Sequence, residues 1–229
     1  GIDPIILEKC DSTMDEAISI GDVGWQRVFT HEQTSGRGRK GAEWKSTRGD
    51  VSATWSLAPE VVGNIPPGLL QTSIGAIVSD ALGAVVKWPN DIMSADCIKM
   101  GGILVESSGS DNIRVGVGVN WRDFEEGGFS AAGWSSTLGE ICAVEVFHRI
   151  DASISSYFED TGWLPMPTVD ELVDISWRGI SHQLSRGVSI EFEGEHLRPI
   201  GITTNGELEA IGRESLMIID DLDGLLWSF

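Results

Sequence analysis

An α+β fold closed by a small β-barrel is what this sequence predicts, on three features. Residues 70–82 carry an apolar stripe at helical spacing (Leu70, Ile74, Ile77, Val78, Ala81, Leu82). Runs rich in Val, Ile, Thr and aromatics recur at 25–30, 51–57, 85–88, 103–106 and 113–119. After Trp177 the texture changes to short β runs separated by Gly187, Gly194, Gly206, Gly212 and Gly224. Helical period and strand alternation report which face each segment buries, and closely spaced strands with glycine turns read as a small barrel.

The elements follow in order. Ser12-Thr13 with Asp15 and Glu16 marks a helix start, hydroxyl caps ahead of first-turn acids. Residues 25–30 form a strand running into a long polar loop, a length that in compact domains signals function. The strand 51–57 follows, and Pro66-Pro67 opens the helix through Leu82. Strands at 85–88, 103–106 and 113–119 and helices at 144–158 and 169–177 complete the larger unit, residues 1–178. Residues 179–229 form the barrel, with strands at 188–192, 197–203, 207–210, 215–219 and 225–227.

Composition narrows the function. Apolar content of 41% and charged content of 22% suit a folded globular chain of 229 residues. No apolar run approaches the ~20 residues a membrane helix needs. Three scattered cysteines (Cys10, Cys97, Cys142) without ligand spacing read as reduced thiols, so a cytoplasmic location is expected and no metal site. With 35 acidic and 16 basic residues the net charge is −19, against a nucleic-acid partner.

Against that acidity, Gly36-Arg37-Gly38-Arg39-Lys40-Gly41 concentrates three cations in four consecutive positions. Glycines let backbone approach a ligand, and N–H groups with guanidinium forks suit phosphate or carboxylate. Three further segments carry chemistry. Lys87-Trp88-Pro89-Asn90-Asp91 puts polar side chains at a strand's exit. Lys99-Met100-Gly101-Gly102 can project an amine over a ligand that the glycines let approach, ahead of the buried Ile103-Leu104-Val105-Glu106. Gly116-Val117-Gly118-Val119-Asn120 places glycines inside a strand. Each segment singly also reads as an ordinary feature: a solvated hairpin, a strand-to-turn transition, a bulge, a sheet bend.

Their order and content together resemble the biotin protein ligases (holocarboxylase synthetases), with Asp11-Ser12-Thr13 and Gln33 fitting the same pattern. The resemblance covers about residues 5–125 by motif and the tail by texture. It implies a class II synthetase-like mixed sheet flanked by helices, with an SH3-like barrel at the C-terminus. It implies two steps: biotin and ATP give biotinyl-5′-AMP, and a lysine of a biotin-accepting carrier protein domain then takes the acyl group. Lys99, Arg39 and Asp91 are the implied catalytic residues, with Lys99 on the biotin carboxylate and adenylate phosphate. Arg37, Arg39 and Gly36 belong to a loop closing over the adenylate. Trp44 would pack on the nucleotide and Asn120 read adenine. Ser12, Thr13 and Gln33 would address the biotin ring, while Lys87, Gly102, Gly116 and Gly118 complete the binding set. Mg²⁺ would accompany the ATP phosphates, and a homodimer is compatible with the family.

Several positions depart from the family pattern. Met14 stands where Asn is common, Ala42 and Glu43 replace basic residues, and Val51 and Ala53 replace an Asn and an aromatic. Lys99 also lies one residue further from Asp91. These changes leave a ligase for another carboxylic acid (lipoate, octanoate) or a non-catalytic nucleotide- or protein-binding relative as alternatives. The Ser-Thr motif already at residue 12 leaves no room ahead of it for a helix-turn-helix, so no DNA binding is expected.

Overall fold

The computed structural model describes residues 2–21, 24–107, 112–163, 165–185, 187–213 and 215–228. In chain order the first elements are β1 (Ile5–Leu7), α1 (Thr13–Ile20), β2 (Gln26–Thr30), β3 (Gly36–Arg37), a 3₁₀ turn (Arg39–Gly41), β4 (Glu43–Trp44) and β5 (Val51–Leu57). Next are α2 (Pro59–Val62), α3 (Pro67–Leu82), β6 (Val85–Lys87), β7 (Asp91–Met93), β8 (Lys99–Ser107) and β9 (Ile113–Val119). β10 (Phe124–Glu126), β11 (Phe129–Ala131), α4 (Ser135–Leu138), α5 (Ala143–Phe158) and α6 (Val169–Leu184) follow. The chain ends with β12 (Ser189–Phe192), β13 (Glu195–Ile202), β14 (Leu208–Ile211), β15 (Leu216–Ile219) and β16 (Leu225–Ser228).

The expected mixed sheet is present: seven strands in the order β1-β2-β5-β9-β8-β7-β6, parallel only between β1 and β2. Period-two alternation gives it two different faces. Val51, Ala53, Trp55 and Leu57 of β5 with Val115, Val117 and Val119 of β9 point into the core against α3, α5 and α6. The alternate residues, Ser52, Thr54, Gly116 and Gly118, face α1 and the open side. α3 is buried nearly all round because it lies between the sheet and α5 and α6, so even Thr72, Ser73 and Ser79 are enclosed. It ends at Gly83 in the left-handed region, φ 63°, where a side chain would be strained.

Two starts differ in their caps. Ser12 does begin α1, but its hydroxyl makes no cap bond; its Oγ accepts from the Arg37 guanidinium at 3.3 Å instead. α6 opens on a capping box: Thr168 Oγ1 accepts from Glu171 N–H, and Glu171 Oε2 accepts from Thr168 N–H. Thr168→Ala is expected to cost about 1 kcal/mol, read as a lower urea midpoint at unchanged slope.

α6 continues through residues 178 and 179 to Leu184. Beyond it lies the β-rich region, an antiparallel five-stranded sheet in the order β15-β14-β13-β12-β16 around Ile190, Leu197, Ile202, Leu208, Ala210 and Ile219. The fully buried Trp88 donates its indole N–H to the Gly206 carbonyl at 2.8 Å, fastening this sheet to the end of β6. Among the described residues no helix is long and apolar enough to cross a membrane.

Candidate active site

The open face of the sheet becomes a cleft because its central residues have no side chains. Across β5, β9 and β8 the register aligns Ser52, Gly118 and Gly102 in one row and Thr54, Gly116 and Leu104 in the next. The glycines are occupied from above. A Cβ on Gly118 would lie 2.5–2.8 Å from the Trp44 indole, and one on Gly116 would lie 3.3 Å from the Met14 sulfur. Gly101, on the core side of the same ladder, could carry no Cβ because the Gly118 carbonyl fills that space. The result is a cleft of about 360 Å³ floored by backbone, walled by α1 on one side and the β3–β4 hairpin on the other. That volume falls in the range of small-molecule sites.

A polar chain crosses the α1 end. Thr54 Oγ1 donates to Thr13 Oγ1 at 2.9 Å, and Thr13 N–H and Oγ1 both donate to Gln33 Oε1 at 3.0 and 3.3 Å. Beside it Met14 and Leu104 line the cleft, while Ala53, Ile103 and Val117 border it from the floor with their side chains in the core. Val51 and Ala53, which stand for the family's Asn and aromatic, both turn into the core, and Ser52 is the strand residue whose hydroxyl side faces the cleft. Asp50, just before β5, accepts from Thr47 N–H at 2.7 Å and Trp121 N–H at 2.8 Å, joining the loop's exit to the end of β9; burial pushes its carboxyl above the usual range.

Four cations also line the cleft, and each has a counter-ion from the chain itself. Lys99 Nζ lies 2.7 Å from Asp91 Oδ1, brought together because β7 pairs with β8. Arg37 is held most tightly: its Nε donates to Glu106 Oε1 and its NH2 to Glu106 Oε2, both at 3.0 Å, while NH1 donates to Asp15 at 2.7 Å. These bonds raise its basicity further, Glu106 first. A guanidinium whose donors are satisfied by two carboxylates is a strut that ties the loop to β8 and α1, not a vacant anion receptor. Arg39 is much freer, with Asp221 Oδ1 at 3.8 Å. Lys40, at φ 54° beside Gly41, reaches Asp221 at 2.7 Å.

The cleft thus brings together Ser12, Thr13, Gln33, Arg37, Arg39, Trp44, Asp91, Lys99, Gly102, Gly116 and Gly118. Three expected residues are not on its wall. Gly36 begins β3 at the base of the hairpin, where a Cβ would meet the Gln33 amide and the Trp44 carbonyl. Lys87 sits on β6 opposite Asp91, outside the lining. Asn120 is buried, its amide donating to the Ala132 carbonyl at 3.3 Å. The structure adds Met14, Ser52, Asn90 and Lys40, the strut partners Glu106 and Asp15, and Asp221, Leu222 and Asp223 from the C-terminal sheet. Glu106 and Asn90 stood inside the motifs. Nothing local marks Asp221 in a chain with 35 acids.

The sequence and the fold both have counterparts among known proteins. Residues 23–120 match the model of the biotin/lipoate A/B protein ligase family. A biotin–[acetyl-CoA-carboxylase] ligase from Paracoccus denitrificans is 36% identical over 129 residues, 50% of this chain and 53% of that one. The bifunctional ligase/repressor BirA of Salmonella typhimurium is 30% identical over 227 residues, covering 89% of this chain and 68% of its own length. The chain therefore spans between about half and two thirds of these curated relatives. A structure of biotin protein ligase from Aquifex aeolicus in complex with biotin and ATP superposes with a TM-score of 0.75 at 23% identity, over 100% of this chain and 99% of that one. A glycine-floored cleft with an arginine hairpin and a paired lysine, on this sheet, with this breadth of sequence match, places the chain in the biotin/lipoate A/B protein ligase family, among the biotin protein ligases.

Proposed function

We propose that the chain is an ATP-dependent biotin protein ligase of the cytoplasm. The observation that carries this is that Lys99, Arg39 and Lys40 line the same cleft as Thr13 and Gln33 of the polar chain. The polar chain with its apolar neighbours suits a polar ring, and the cations suit phosphates. Biotin lies with its carboxylate toward Lys99. That oxygen attacks the α-phosphorus of ATP, the bond to the β-phosphate oxygen breaks, and pyrophosphate leaves. Lys99 and Arg39 supply positive charge where two anions meet. In the second step the amine of an acceptor lysine attacks the anhydride carbonyl and AMP departs. Asp91, bonded to Lys99 and lining the cleft, is the carboxylate placed to orient that amine. Trp44 gives the nucleotide an aromatic face. Mg²⁺ would accompany the ATP phosphates and screen their charge, while Asp91 stays bonded to the Lys99 ammonium.

A second acid is favoured by one observation: the Met14 thioether over Gly116 makes that part of the bed apolar. ATP–pyrophosphate exchange with biotin, lipoate or octanoate tests both readings. Exchange is expected with biotin above all. Exchange only with lipoate or octanoate selects the second reading, and exchange with none of the three overturns both.

A further inference from the structure

We infer that Asp221 and Asp223, at the turn between β15 and β16, are positioning residues. They serve as built-in counter-ions for Lys40 and Arg39, drawing the glycine–arginine hairpin across the cleft until a polyphosphate takes their place. The inference rests on the nucleotide reading of the cleft and goes beyond it.

Four contacts support it. Lys40 Nζ lies 2.7 Å from Asp221 Oδ2 and 3.5 Å from Asp223 Oδ2, and Arg39 NH2 lies 3.8 Å from Asp221 Oδ1. Asp221 is itself oriented: its Oδ1 accepts from Leu222 N–H at 2.6 Å. Both aspartates and Leu222 line the cleft, so the carboxylates stand where an anion bound by the same cations would stand. The Lys40 bond also holds the Asp221 carboxyl below its ordinary range. The base of the hairpin is fixed separately by Arg37 on Glu106 and Asp15. Only its tip therefore depends on the C-terminal sheet, and Arg39 lies between the two anchors. Lys40 and Asp223 are largely exposed, and exposed pairs are weak and salt-sensitive. Weakness is what a displaceable counter-ion requires, because a dense triphosphate can outcompete it.

The test compares the unmodified chain, Asp221→Asn/Asp223→Asn, Asp221→Glu, and Asp220→Asn as a control for simple loss of negative charge. Two quantities are read: trypsin cleavage after Arg39 and Lys40 mapped by mass spectrometry, and the Kd for ATP and for pyrophosphate by calorimetry at low and high salt. The double variant is expected to be cut several-fold faster without ligand. It should bind ATP and pyrophosphate roughly three- to tenfold more tightly at low salt, with the difference shrinking at high salt. Asp221→Glu should retain the unmodified behaviour, and Asp220→Asn should change neither reading. Unchanged cleavage, weaker polyphosphate binding by the double variant, or an equal effect of Asp220→Asn would each overturn the inference. If the unmodified chain binds neither ATP nor pyrophosphate, the nucleotide reading fails and displacement with it, while the cleavage pattern still decides whether Asp221 and Asp223 hold the hairpin.

Discussion

Lys99→Ala is expected to lower biotin-dependent ATP–pyrophosphate exchange by about a hundredfold to a thousandfold, the loss typical when one preorganised donor is removed from a charge-developing centre. Two effects act together. The attacking carboxylate and the α-phosphate lose the cation between them. Asp91, whose Oδ1 lies 2.7 Å from Lys99 Nζ, is also left as an uncompensated anion facing two others. The second effect is separable: Lys99→Ala/Asp91→Asn should recover part of the loss, because the stranded charge is gone. Arg39→Ala should be similarly severe, since Arg39 is the guanidinium with no close carboxylate bond and Arg37 is committed to Glu106 and Asp15. Wild-type-like exchange in either single variant would remove the phosphate site from this end of the cleft.

Gly118→Ala is expected to weaken ATP binding tenfold or more, the size of one lost base–aromatic stack at ~1–3 kcal/mol. The added methyl would lie 2.5 Å from Trp44 Cε2 and 2.6 Å from Nε1. β9 is held between β5 and β8 and cannot yield, whereas Trp44 belongs to a two-residue hairpin strand that can. The indole is therefore the part that moves. Global stability should fall by no more than about 1 kcal/mol, because Trp44 is only half-buried. Trp44→Ala combined with Gly118→Ala should cost little more than either alone, since both remove the same stack. Unchanged ATP affinity in Gly118→Ala would show that Trp44 does not bear the nucleotide. Calorimetric titration of ATP into each variant, alongside its urea midpoint, reads both quantities.

The elements differ in how openly their residues announce them. β5 and β9 occupy the residues expected of them because β-branched runs end sharply at Gly49-Asp50 and Asn120. β8 is longer than expected, Lys99–Ser107 against 103–106, since Gly101-Gly102 carries no strand propensity of its own. The pairing there is tertiary: Gly101 is required by the approach of Gly118's carbonyl, which no local pattern expresses. No strand is expected at 91–93, because three residues after Pro89-Asn90 become a strand only by lying between β6 and β8. α6 overruns its expected end at residue 177 because it packs on α3 and β6 through its last turns, with Gln183 bonded to the Val86 carbonyl.

By itself the sequence determined the secondary elements with strong periodicity, the acidic background, and the segments in which cations and glycines are concentrated. Those are local properties, set by neighbours three or four positions away in a helix and two in a strand. Only the tertiary structure decided what the cations are free to do. Arg37 is neutralised from 69 positions away by Glu106, and Lys40 is met from 183 positions away by Asp223. Charge pairing depends on which carboxylate lies within about 4 Å, and that distance is a product of sheet register and of the docked C-terminal strands. The hairpin of three cations is thus legible as an anion site from its residues, while the division between strut, latch and available guanidinium belongs to the fold.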